Sequence, residues 1–114
     1  MIVVTTESIS NKRIVRTLGL VRGTSVRGRH LGKDLVAALR NAVGGEIAEY
    51  TKILSETREQ ALDRMIEEAR ELGANAIVTT RFMSSEIATS AAEMLAYGTA
   101  VVVEDATPEP KKAV

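Results

Sequence analysis

The chain has no cysteine, no tryptophan, one histidine and two prolines among its 114 residues. Without cysteine there can be no disulfide, no thiolate metal site and no cysteine nucleophile. A single imidazole leaves general acid–base chemistry to carboxylates, lysine or tyrosine. Aromatics are scarce: Tyr50, Phe82 and Tyr97 are the whole set, too few for the stacking platforms that single-stranded nucleic acid needs. Net charge is missing as well, since fifteen Lys+Arg balance fifteen Asp+Glu, whereas a dedicated DNA-binding domain carries a basic excess. No run approaches the ~18 apolar residues of a membrane span. The start, Met1 to Glu7, lacks the basic and apolar regions of a secretory signal. The expected compartment is therefore the cytoplasm, with neither membrane nor nucleic acid as a partner.

What is present is a globular composition, 45% hydrophobic and 26% charged, in a length that fits one domain. Ile2 to Val4 forms a short strand-like run. Arg13 to Arg27 is rich in β-branched residues and reads as one long strand, or two broken near Gly23. Leu31, Leu35, Val36, Leu39 and Val43 then recur at helical spacing, with Asp34 near the start and Gly44-Gly45 as the stop.

A longer helix is expected from Glu46 to Leu72, with Ile47, Tyr50, Leu54, Ala61, Leu62, Met65, Ile66, Ala69 and Leu72 on its apolar side. Thr57 with Gln60 matches a capping box and would favour a break there. The sustained apolar stripe favours continuity, and a continuous helix of ~40 Å outreaches a compact core of radius ~13 Å. Leu72-Gly73-Ala74 ends it, glycine being the residue that enters the left-handed conformation freely.

Ala76 to Thr80 reads as a strand, Ser84 to Ala92 as a loop or ragged edge strand, and Tyr97 to Val103 as the last strand. The unbroken run Ala100 to Val103 asks for cover on both faces of a sheet. Residues 105–114, with Pro108 and Pro110, read as a disordered tail after a single domain over residues 1–104. The class is α+β, helices on a small sheet. Helices from one chain cover one face of that sheet, so the other points to neighbouring copies.

Charge is unevenly placed. Residues 1–45 hold eight Lys/Arg and two Asp/Glu, while residues 46–71 hold four against eight. A basic front half beside an acidic helix suits complementary contacts between successive subunits, although solvent-facing helices are commonly acidic for no other reason.

Candidate chemistry is thin. His30 sits in the basic loop Arg27-Gly28-Arg29-His30, and with Glu86 and Glu93 it is the candidate set for a divalent metal between subunits. The glycines, hydroxyls and arginines of Arg22 to Arg29 make Arg22, Arg27 and Arg29 candidates for holding an anion. The segment matches neither a Walker A loop nor a dinucleotide fingerprint. No nucleophile elbow or Ser/His/Asp order occurs, so an enzyme would need a pocket formed between chains.

Several segments carry a resemblance: Leu18-Gly19-Leu20-Val21, Asp34 through Arg40 to Gly45, Tyr50, Arg58, Ala61-Leu62, Ala69, Leu72 to Val78 and Gly98-Thr99-Ala100-Val101. The chain resembles the YbjQ-like family, described as heavy-metal-binding proteins of unknown function, from about Ile2 to Glu104. The resemblance implies a dodecin-like β-α-β-β subunit with an antiparallel sheet, helices on one face and the last strand in the middle. It also implies a ring-shaped homo-oligomer, typically a pentamer. Asn11 stands where members often carry glycine, and asparagine tolerates the same left-handed turn. The expected function is a ring-forming binding or scaffold protein of unresolved ligand. The alternatives are a metal site between subunits and an inter-subunit enzyme.

Overall fold

A computed structural model describes residues 1–27, 45–88 and 91–107. The expected helix over residues 31–43, its Gly44 stop and residues 108–114 of the expected tail lie outside them. The described elements are β1 (Ile2–Val3), β2 (Lys12–Arg27), α1 (Gly45–Glu71), β3 (Ala76–Ala88) and β4 (Ala91–Asp105). They form an α+β arrangement in which one four-stranded sheet, in the order β1-β3-β4-β2, carries α1 on one face.

The last strand lies inside the sheet, antiparallel to both β2 and β3. This is where the doubly apolar run belongs: Ala100 packs toward α1, and Val101 and Val103 join the second cluster. The sheet is mixed rather than wholly antiparallel, because β1 pairs parallel to β3 through Ile2 and Val3.

Three alternatives left open by the sequence are now decided. Arg13 to Arg27 is one long strand and does not break at Gly23. Its irregularities lie between Ile14 and Arg16 and between Thr17 and Gly19, where Gly19 takes φ +119°. Gly23 stays in register with Ala96 and serves close approach, bringing the sheet under the backbone of α1. Of the loop and ragged-strand readings of Ser84 to Ala92, the described residues take the strand, extending β3 to Ala88 and β4 from Ala91 in a paired ribbon. Small polar residues are compatible with strands there because cross-strand pairing, not burial, holds the ribbon.

α1 is continuous over 27 residues. Thr57 and Gln60 do not cap a second helix. Thr57 is buried within α1, and Gln60 accepts a 2.5 Å hydrogen bond from the hydroxyl of Ser25. The buried positions Thr57, Ala61, Met65 and Ala69 recur every fourth residue, so one row of the helix faces the sheet. Ala61, Met65 and Ala69 meet Val21, Ile77, Ala96 and Ala100 there. The helix ends as expected: Gly73 has φ +87°, its N–H bonds the Arg70 carbonyl at 2.9 Å, and the Ala74 N–H bonds the Ala69 carbonyl at 3.0 Å. These are the two bonds of a Schellman cap. Asn11 takes φ 63° before β2, the left-handed turn expected of it.

The second cluster lies on the opposite face at the β1 end, where Ile2, Val4 and Ile9 pack on Ala76, Val78, Val101 and Val103. The Cα radius of gyration is 19.2 Å, against ~13 Å for a compact domain of this length. Long strands rather than a round core set the shape. Among the described residues no helix is long and apolar enough to cross a membrane.

Candidate functional site

Strand alternation sorts β4 into two sets. Ala96 and Ala100 face α1, and Gly98 between them leaves space that the Ile77 and Thr80 side chains of β3 crowd. Leu95, Tyr97 and Thr99 therefore lie on the other face. Their register partners complete three rows across the sheet: Leu20–Thr99–Val78, Arg22–Tyr97–Arg81 and Thr24–Leu95–Met83. Leu20 is 62% exposed and Met83 55%. Beyond the reach of Ile2, Val4 and Ile9, this face is open among the described residues.

The middle row sets a tyrosine between two arginines. At the other end of the sheet the cross-strand cations face acids: Lys12 Nζ lies 2.5 Å from Asp105 Oδ1, and Arg13 pairs with Glu104. Lys12 is the main cause of the lowered pKa of the Asp105 carboxyl, first through its hydrogen bond and then through its charge. Arg22 and Arg81 have no carboxylate within 4.0 Å among the described residues. Arg22 is exposed. Arg81 donates through Nη1 to the carbonyls of Thr5 at 2.9 Å and Thr80 at 2.8 Å.

Arg81 reaches this face through a bulge. Between Val78 and Arg81 the register slips, so that Arg81 comes opposite Tyr97. Counting back from Val78–Thr99 without the slip, Arg81 would fall opposite Ala96, on the helix side. Thr79 carries the distortion at φ 53°, an unusual conformation for a β-branched residue. The N-terminal segment holds the bulge: Thr79 N–H bonds the Thr6 carbonyl at 2.9 Å and Thr80 N–H the Val4 carbonyl at 3.0 Å. Re-aiming a side chain is a recurrent use of such bulges.

The residues expected from sequence are only partly gathered here. Arg22 belongs to the row. Arg27 ends β2 opposite Ala92. Arg29 and His30 lie outside the described residues. Glu86 pairs with Ala92 and Glu93 with Ser85, adjacent rows whose positions fall on opposite sheet faces. Among the described residues no group of three His, Cys, Asp or Glu could hold a metal ion. Sequence reasoning missed Tyr97 and Arg81, which lie far from Arg22 along the chain. Only strand register brings them together.

Known proteins place this chain. A family model described as "Putative heavy-metal-binding" matches residues 1–104. A UPF0145 protein of Methanosarcina acetivorans is 52% identical over 103 residues, covering 90% of this chain and 97% of that protein. A UPF0145 protein of Thermococcus kodakarensis is 54% identical over 104 residues, covering 91% and 92%. Among solved structures, a protein of unknown function from Pediococcus pentosaceus, assigned to the DUF74 family, superposes with a TM-score of 0.60. It shares 15% identity, with 91% of this chain and 98% of that chain covered, so it speaks to the fold alone.

Proposed function

The chain belongs to the YbjQ-like family, whose relatives here are UPF0145 proteins, and from that premise we propose that it is a ring-forming, homo-oligomeric binding subunit. One observation carries the reading. Among the described residues the 16-residue strand β2 is an edge strand, hydrogen-bonded on one side only, and β3 beyond Thr80 is the opposite edge. Long free edges present rows of unpaired N–H and C=O groups, and natural proteins cover or pair them.

The two edges suit one another. β2 and β3 both run antiparallel to β4 and are therefore parallel to each other. A rotation about an axis along the strands lays the β2 edge of one copy beside the β3 edge of the next, in parallel. Such a head-to-tail contact closes into a ring when the rotation divides the circle, and five copies is the number the family resemblance implies. The open sheet face is then the working surface of each subunit.

The metal in the family's description does not fit this chain's donors. Soft metals take thiolate and imidazole, and the chain has no cysteine and one histidine. Binding rather than metal chemistry is the reading retained.

Light scattering coupled to size exclusion tests the assembly. The expected result is a single species at a multiple of 12.3 kDa, near five copies, with alternate β2 amides protected from hydrogen exchange only at assembling concentrations. A stable, folded monomer at micromolar concentration overturns it.

A further inference from the structure

We propose that the Arg22–Tyr97–Arg81 row binds a phosphate-type oxyanion, free or carried on a small organic molecule. The inference rests on the ring reading in one respect, that edge pairing leaves this sheet face open.

Adjacent strands lie ~4.8 Å apart, so the two arginine backbones stand ~10 Å apart across Tyr97. Arg22 is long enough to lean over the ring between them, toward Arg81. Each guanidinium is a planar fork that can offer two parallel N–H donors. A carboxylate is satisfied by one fork, whereas a tetrahedral dianion has enough oxygens for two forks and for the tyrosine hydroxyl. Arg81 has committed Nη1 to the Thr5 and Thr80 carbonyls, which fixes that guanidinium in place. Among the described residues Arg22 has no ion-pair partner, and it is the moving arm.

The flanking rows add a floor. Leu20 on one side and Leu95 with Met83 on the other are apolar positions on the same face. Apolar neighbours strengthen a charge-assisted hydrogen bond by thinning the surrounding water. They also offer a surface for the organic body of a phosphate ester.

Two features argue that the row is built rather than incidental. Cations at the other end of the sheet face carboxylates directly across the strand, yet here the middle position is a tyrosine. The bulge at Thr79 puts Arg81 on this face at the expense of a left-handed threonine.

The test is calorimetric titration of the intact protein at constant ionic strength with inorganic phosphate and with phenyl phosphate, using chloride as control. Saturable binding of at least one of them is expected, and the tighter probe reports whether the ligand is free or esterified. Arg22→Gln should weaken that binding tenfold or more, Arg22→Lys should fall between, and Lys52→Gln on exposed α1 should leave it unchanged. Arg22 is exposed and holds no ion pair among the described residues, so its substitution is expected to spare the fold. No saturable binding, or equal binding by Arg22→Gln, overturns the proposal. Light scattering on the same samples separates the two readings: a ring that binds neither probe removes the site and keeps the assembly, and a monomer that binds removes the assembly and keeps the site.

Discussion

Asn75 grips Val103 with two hydrogen bonds, one in each direction. Its Nδ2 donates to the Val103 carbonyl at 2.8 Å, and its Oδ1 accepts from the Val103 N–H at 2.8 Å. The side-chain amide thereby acts as a short strand beside the end of β4. Asn75→Asp keeps the acceptor, loses the donor and sets a carboxylate against a carbonyl. The expected loss is about 1–3 kcal/mol, measured by urea denaturation at fixed protein concentration. Because a protonated carboxyl can donate again, the deficit should shrink as the pH falls toward the ordinary carboxylate value of about 4. A deficit independent of pH would show that the pairing is not what the residue supplies.

Gly23 lies directly beneath α1: a Cβ built there would stand 2.1 Å from the Ala61 carbonyl oxygen and 2.3 Å from the Met65 amide nitrogen. Those are backbone atoms and cannot rotate away. Gly23→Ala should cost at least the ~1–3 kcal/mol of ordinary overpacking, lowering the melting temperature by about 4–8 °C per kcal/mol. An unchanged melting temperature would mean that helix and strand do not touch at this point.

Two left-handed positions should respond in opposite senses. Gly73→Ala forces a side chain into φ +87° and should destabilise by about 1 kcal/mol, although nothing lies within 4 Å to clash with it. Thr79→Asn replaces a β-branched residue at φ 53° by one that enters this region more readily, and should stabilise by up to about 1 kcal/mol. Thermal melts of the pair, at one concentration, check both signs.

The Asp105 carboxyl titrates below the usual carboxylate range because Lys12 hydrogen-bonds it and holds a positive charge beside it. A depressed pKa contributes stability above the unfolded-state value, near pH 4, and that contribution is lost as the pH falls through the folded value. The group is fully exposed, so the effect on folding is small and the titration itself is the readout. Lys12→Met should raise the Asp105 pKa toward its ordinary value in a carbon-detected NMR titration. No movement would break the pairing.

Much of the fold was legible because the signals are local. The helix from residue 45 to 71 follows from its spacing, and its end from one glycine whose backbone has to turn left-handed. The run Ala100 to Val103 asked for cover on both faces of the sheet, and the family resemblance implied its place inside the sheet. The Thr57–Gln60 pair pointed to a break that the apolar stripe outweighed, since a capping box is a local preference and Gln60 meets Ser25 across the fold instead. Ser84 to Ala92 left loop and ragged edge strand both open, because its pairing energy comes from a partner strand, which composition does not record.

The sequence by itself determined the absence of thiolate chemistry, the neutral balance of charge, and the long helix with its stop, because each depends on residue identity or short-range periodicity. Tertiary structure alone decided that Arg22, Tyr97 and Arg81 share a row. Strand register and a one-residue bulge set which positions meet and on which face, and a slip of a single residue would carry Arg81 to the other side of the sheet.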